Sequence, residues 1–230
     1  MDIEITPSQF EAGGGGPTVS SILLRPQNAE AILVFGHGSE SPMRHPLKED
    51  MACAMAKNRV ATFRFNYPYS ENYSKPGWDS SPDSLQVLLD TAESAVKKAE
   101  ESAHDLPLFV GGRSMSSQII TLLAARRNTP NAVGVIPFVF PMRWRTLLKE
   151  PTAHLSEVDK PMLFIQGGRD DLTDNDELQQ LLSNLYVRTT MHVVEGADHH
   201  YNVPVDSPRT KGEAIREVAS VVADWIREVT

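Results

Sequence analysis

Three polar side chains stand at turns that follow apolar runs, in an order suited to acyl transfer. Ser114 lies in "FVGGRSMSSQ" (109–118), where an apolar run ends in two glycines and a helical pattern begins. Asp170 comes three residues after Gly167 in "QGGRDD", and His199 three residues after Gly196 in "GADHHY". A serine hydroxyl is a weak nucleophile until a base takes its proton. Histidine, with an ordinary pKa of about 6.5, suits that task near neutral pH. A carboxylate fixes the imidazole tautomer and stabilises the imidazolium that forms. Asp171 and His200 directly follow Asp170 and His199, and the G-x-x-D and G-x-x-H spacing selects the first of each pair.

A nucleophilic serine is held up on a strained strand-to-helix turn, G-x-S-x-G, flanked by small residues because the backbones crowd there. Here the motif is Gly112-Arg113-Ser114-Met115-Ser116, with serine in place of the last glycine. Removing the Ser116 hydroxymethyl is expected to relieve crowding, so Ser116→Gly is expected to preserve or raise activity. The competing reading of Ser114 is an ordinary helix cap. Acyl transfer also needs N–H donors aimed at the developing oxyanion. The expected donors are the backbone amides of Met115 and of Ser39, which follows "GHG" (36–38). His37 is expected to hold that loop's shape rather than take part in chemistry.

The elements that position these residues follow from hydrophobic period. Ala31–Phe35, "PLFVGG" and "PMLFIQGG" are continuous apolar runs stopped by glycine, the pattern of strands buried on both faces. "VATFRFNYP", "AVGVIPFVFP" and "TTMHVVEG" are further strands, and "TVSSILLRP" precedes them after a "GGGG" turn. Helical spacing alternates with the strands. "SSPDSLQVLLDTAESAVKKAEE" has Leu85, Leu88, Leu89, Ala92 and Val96 on one stripe, with Ser81 expected as N-cap and Pro82 as first helical residue. "DNDELQQLLSNL" carries capping-box spacing at Asp174 and Glu177. The last helix has the stripe Ile215, Val218, Val222, Trp225, Ile226 and Val229. Alternating elements with apolar central strands predict an α/β fold: a doubly wound, mostly parallel sheet with helices on both faces, in one domain spanning 1–230. Ligands of such sheets bind beyond the carboxyl ends of the strands, where Ser114, Asp170 and His199 stand.

Composition narrows the partners. The 230 residues carry a net charge of −8 and no basic patch, which argues against nucleic acid and anionic membrane surfaces. "MDIEITPSQF" lacks the basic and apolar regions of a signal peptide, and no apolar run reaches a membrane span. A cytoplasmic location is expected. Cys53 is the only cysteine, so an intrachain disulfide and zinc–thiolate clusters are excluded, and it is expected to pack in the core. The histidines show no H-x-x-x-H or H-x-H pair, so neither metal nor cofactor is expected.

Taken together, "FGHGSESPMRHP", "FRFNYPY", "GGRSMSS", "QGGRDD" and "GADHHY" resemble the α/β-hydrolase superfamily, from about residue 20 onward. Within it the chain resembles the small, lidless dienelactone-hydrolase-like branch, and more narrowly the branch shared with a subunit of the human non-specific lethal complex and testis-expressed relatives. The resemblance implies Ser114 as nucleophile, Asp170 as acid, His199 as base, and a small ester or thioester substrate taken through an acyl-enzyme. Because chromatin-associated members of that branch are regarded as scaffolds, it also leaves open a non-catalytic interaction module. The stretch 139–160 has room for about two short helices and no large cap. Asn66, Tyr67 and Tyr69 in the aromatic stretch 65–78, and Met142 and Trp144 after the sixth strand, are candidates for the pocket wall, with packing as the alternative for each.

Overall fold

The computed structural model describes residues 2–73, 75–103, 106–143 and 147–230. It contains one eight-stranded sheet: β1 (Ile3–Glu11), β2 (Thr18–Pro26), β3 (Ala31–Gly36), β4 (Val60–Phe65), β5 (Leu108–Arg113), β6 (Ala132–Phe138), β7 (Met162–Gly167) and β8 (Thr189–Val194). The strand order is β1-β2-β4-β3-β5-β6-β7-β8. β1 and β2 form an antiparallel hairpin around the glycine-rich turn, and β2 pairs antiparallel with β4; the other pairings are parallel. The helices are α1 (Pro46–Lys57), α2 (Leu85–Ala103), α3 (Met115–Ala125), α4 (Asn175–Leu182) and α5 (Lys211–Val229). Among the described residues no helix is long and apolar enough to cross a membrane.

Each central strand divides its side chains between two cores, because successive residues point to opposite faces. In β3, Ile32 and Val34 pack with α2 and α3, whereas Ala31, Leu33 and Phe35 pack with α1 and α5. This two-sided burial explains the uninterrupted apolar runs. The helices bury the stripes their period predicts: Leu88, Leu89, Ala92 and Val96 of α2, and Ile215, Val218, Val222, Trp225 and Ile226 of α5.

Some local expectations are corrected. α2 begins at Leu85, and the Ser84 hydroxyl, rather than Ser81, accepts from a first-turn amide, that of Val87. Ser81 and Pro82 instead line a cavity beyond the sheet. The Asp174 carboxylate caps α4 by accepting from Glu177 N at 3.0 Å, as its spacing predicts. Thr210 and Glu213 make a full capping box on α5 beyond those expected from sequence. Cys53 is exposed on α1, because it falls on the helix's outer face while Met51, Ala52, Ala54 and Met55 are buried. Between β6 and β7 the described residues form one 3-10 turn, Ala153–Glu157; the helical piece expected around Trp144 lies outside the described residues.

Candidate active site

Ser114 sits between β5 and α3 with φ 53° and ψ −116°, a conformation uncommon for a residue with a Cβ. Its amide donates to Phe138 O at 2.9 Å, and its carbonyl accepts from Ser117 N at 2.8 Å and from the Ser117 hydroxyl at 2.5 Å. These contacts over-determine the turn. Its side chain makes no capping hydrogen bond to α3, which sets aside the helix-cap reading.

The close approach behind the elbow requires glycine. A Cβ on Gly112 would lie 2.4 Å from Ser116 O, and one on Gly36 would lie 2.7 Å from Ser116 Cβ and Oγ. Gly36 and Gly112 are register partners on β3 and β5, so the pair opens the room that Ser116 fills. Ser116 is fully buried; its hydroxyl donates to His37 O at 2.5 Å and lies 2.8 Å from the Tyr67 hydroxyl. The expectation that this hydroxymethyl merely crowds the turn is therefore corrected: it joins the elbow to the loop after β3 through satisfied hydrogen bonds.

From Ser114 a hydrogen-bonded chain runs across the strand ends. Ser114 Oγ lies 3.0 Å from His199 Nε2, and His199 Nδ1 lies 2.8 Å from Asp170 Oδ2. The Asp170 side chain is fully buried, and its other oxygen accepts from Leu172 N at 3.0 Å. A Cβ on Gly167 would lie 2.7 Å from the Ala197 and Asp198 carbonyls, so this glycine lets the β7 and β8 loops close on each other. Asp171 is exposed, and His200 points elsewhere. Asp198 pairs locally, accepting from the amides of His200 and Asn202 at 2.7 and 2.8 Å.

Arg113, next to Ser114, ties the elbow to the histidine loop. Its buried guanidinium donates through Nη2 to His199 O and approaches His200 Nδ1 at 3.1 Å. Burial pulls its pKa below the usual guanidinium value, while the Asp170 and Asp198 carboxylates oppose that shift. Sequence reasoning gave Arg113 no role, although a charged residue closing an otherwise apolar strand is a signal for one.

The loop after β3 is built from below. His37 is fully buried; its Nδ1 lies 2.7 Å from Gly38 O, and its Nε2 faces the Ser70 hydroxyl at 3.0 Å and Tyr67 N at 3.2 Å. A carbonyl only accepts and an amide only donates, so the proton is on Nδ1. Burial lowers the His37 pKa to about 3, keeping the ring neutral. This matches its expected structural role. The Tyr69 hydroxyl donates to Ser39 O at 2.9 Å, and Tyr69 in turn stacks between Tyr67 and Trp78. Lys48 of α1 is also fully buried here, with Nζ 3.4 Å from Ser41 Oγ and 5.7 Å from the Phe35 ring centre. Burial, reinforced by Arg113 and Arg64, drives its pKa well below the ordinary lysine value.

A cavity of about 380 Å³ opens over Ser114, with Ser39, Met115 and His199 in its wall. Among the described residues the amides of Ser39 and Met115 donate to no protein acceptor. Ser80, Ser81, Pro82, Leu147 and Leu172 also line the cavity, as do the charged Glu40 and Arg113, none of them anticipated from sequence. The candidates Asn66, Tyr67 and Met142 do not line it. Asn66 turns inward to accept from Met43 N at 3.0 Å, and Tyr67 is fully buried beneath the elbow. Met142 packs half-buried against the core on the α2–α3 side of the sheet. The aromatic stretch thus supports the site from behind. Trp144 lies outside the described residues.

Known structures share this architecture. A dienelactone hydrolase from Anabaena variabilis superposes with a TM-score of 0.72 at 19% identity, over 97% of this chain and 98% of that one. An esterase domain from Rhodothermus marinus gives 0.72 at 13% identity, over 98% of each chain. A lidless α/β serine hydrolase from Xanthomonas campestris gives 0.69 at 16% identity, over 98% of this chain and 94% of that one. Residues 29–227 match the family described as "Alpha/beta hydrolase domain". The eight-stranded sheet, the elbow and the match across most of the sequence agree, and the chain belongs to the α/β-hydrolase family.

Proposed function

We propose that the protein is a serine hydrolase that cleaves a small ester or thioester through an acyl-enzyme. The observation that carries this reading is the unbroken chain from Ser114 Oγ to His199 to buried Asp170, at 3.0 and 2.8 Å, beneath an open cavity. Ser114 Oγ attacks the substrate carbonyl as His199 Nε2 takes its proton. Asp170, accepting from Nδ1–H, orients the ring and stabilises the imidazolium. The negative charge developing on the carbonyl oxygen is met by the amides of Ser39 and Met115, held ready by the elbow and the His37-braced loop. His199 then passes its proton to the departing alcohol or thiol. Water, deprotonated by the same histidine, releases the acid and restores Ser114.

The cavity suits a compact acyl group. Its wall mixes serines with Met115, Leu147, Leu172 and Pro82, and it opens directly to solvent. The testing experiment is covalent labelling with a fluorophosphonate probe, with the adduct mapped by mass spectrometry. A single adduct on Ser114, absent in Ser114→Ala, is the expected result. No adduct under conditions that label a known esterase sinks the reading and favours a non-catalytic interaction module of the same fold.

A further inference from the structure

Two depressions meet at His199 and His200. The first is the cavity over Ser114. The second shares His199, His200 and Leu172 with the first and is otherwise lined by Arg169, Asp171 and Asp198. It contains neither Ser114 nor the amides of Ser39 and Met115. If Ser114 is the nucleophile, the oxygen that departs must come within reach of His199 Nε2, which returns the proton. The alcohol half of the ester therefore lies against His199, where the two depressions share His200.

His200 is held in one tautomer. Arg113 Nη2 lies 3.1 Å from its Nδ1, and a guanidinium only donates, so Nδ1 accepts and the proton resides on Nε2. The ring stands at 81° to that of His199, with centroids 5.6 Å apart. Burial, together with the positive charge of Arg113, lowers its pKa to about 4, so the neutral donor form prevails at physiological pH. Among the described residues Nε2 has no protein partner. In the same depression Arg169 offers further donors, and the exposed carboxylate of Asp171 offers acceptors.

We propose that His200 Nε2–H is a fixed hydrogen-bond donor to the leaving group, and that this subsite selects esters of hydroxylated alcohols over esters of plain alkyl alcohols. A hydroxyl beside the ester oxygen accepts from His200 or Arg169 and donates to Asp171; an alkyl chain does neither. The proposal rests on the Ser114 reading above.

The test compares 2-hydroxyethyl butyrate with propyl butyrate, which differ by a hydroxyl for a methyl. Rates are normalised to hydroxide-catalysed hydrolysis of each ester. Wild-type kcat/KM is expected to favour the hydroxyethyl ester roughly fivefold or more, as one neutral hydrogen bond provides. In His200→Leu the ratio is expected to fall to about one, and in His200→Gln, which keeps a terminal N–H donor, to recover in part. Ratios within one variant are insensitive to its overall stability, so a weakened fold does not mimic the result. Equal wild-type rates, a propyl preference, an unchanged ratio in His200→Leu, or no turnover of either ester by protein that labels at Ser114 overturns the subsite. Absence of Ser114 labelling in the wild type overturns the hydrolase reading, and the subsite with it.

Discussion

Gly36 of β3 and Ser116 of α3 are complementary: the missing Cβ of one leaves the space taken by the hydroxymethyl of the other, and a Cβ on Gly36 would lie only 2.7 Å from the Ser116 Cβ and Oγ. A serine is therefore tolerated in an elbow position where glycine is usual, and it is anchored by His37 O and Tyr67. Gly36→Ala alone is expected to cost ~2–3 kcal/mol through overpacking. Ser116→Gly alone is expected to cost ~1–3 kcal/mol by leaving buried polar groups unpartnered. Combined, the two should cost at least ~1 kcal/mol less than their sum, because removing the Ser116 hydroxymethyl clears the space the new methyl needs. Urea unfolding of the four proteins measures the coupling; strict additivity would deny the complementarity.

Asp170→Asn should leave the fold and KM nearly intact while lowering kcat by ~10³–10⁴-fold. An amide that donates toward Nδ1 drives the proton to Nε2, the atom that must accept from Ser114. Steady-state kinetics on an activated ester measure the drop. A loss below tenfold would mean that Asp170 does not control the tautomer of His199.

His37 gives the protein an acid-sensitive core. Its folded pKa of about 3 lies below the ordinary 6.5, so between these values the unfolded chain binds a proton that the folded one refuses. The stability it contributes is complete above pH 6.5 and is lost as pH falls toward 3, by roughly 5 kcal/mol in all. His154, held to about 4 by burial, acts in the same direction. Urea midpoints between pH 8 and 4 should show the decline. His37→Gln should start lower at pH 8 and decline less steeply; equal slopes would rule out His37 as the titrating group.

Lys48 acts in the same direction over a more alkaline range. With its folded pKa well below 10.5, the unfolded chain again binds the extra proton, so the burial of this amine is most costly at low pH and the cost disappears as pH approaches 10.5. Lys48→Met, which fills similar volume without the amine, should raise the melting temperature at pH 7. That gain should shrink toward pH 10, by at most ~1.4 kcal/mol per pH unit. A pH-independent gain would show that packing, not ionisation, sets the cost.

The strands and the residues at their ends were legible because burial on both faces leaves an apolar run and glycine marks where it stops. Ser114, Asp170 and His199 stand at three such stops, and the folded chain brings them within hydrogen-bond reach. Asn66 and Tyr67 were misplaced because their direction depends on partners far along the chain: Met43 for Asn66, and Ser116 for Tyr67. No local period encodes such pairings. Arg113 and His200 were passed over for the same reason, since their meeting spans 87 residues. Cys53 was misassigned because a run of small residues around a helix does not reveal which of them faces out.

The distance along the chain between Ser114 and His199 is 85 residues, and this has a consequence for the order of synthesis. The elbow needs β3, β5, β6 and α3, all made before β7 emerges. The base arrives on the loop behind β8, the last strand at the sheet's edge. At ribosomal speeds of about 5–20 residues per second, the serine exists for on the order of ten seconds with nothing to deprotonate it. On the proposed hydrolase reading, a nascent chain is thus chemically silent until its final strand docks. In the finished protein, fraying of that same edge would part His199 from Ser114 while leaving the elbow folded.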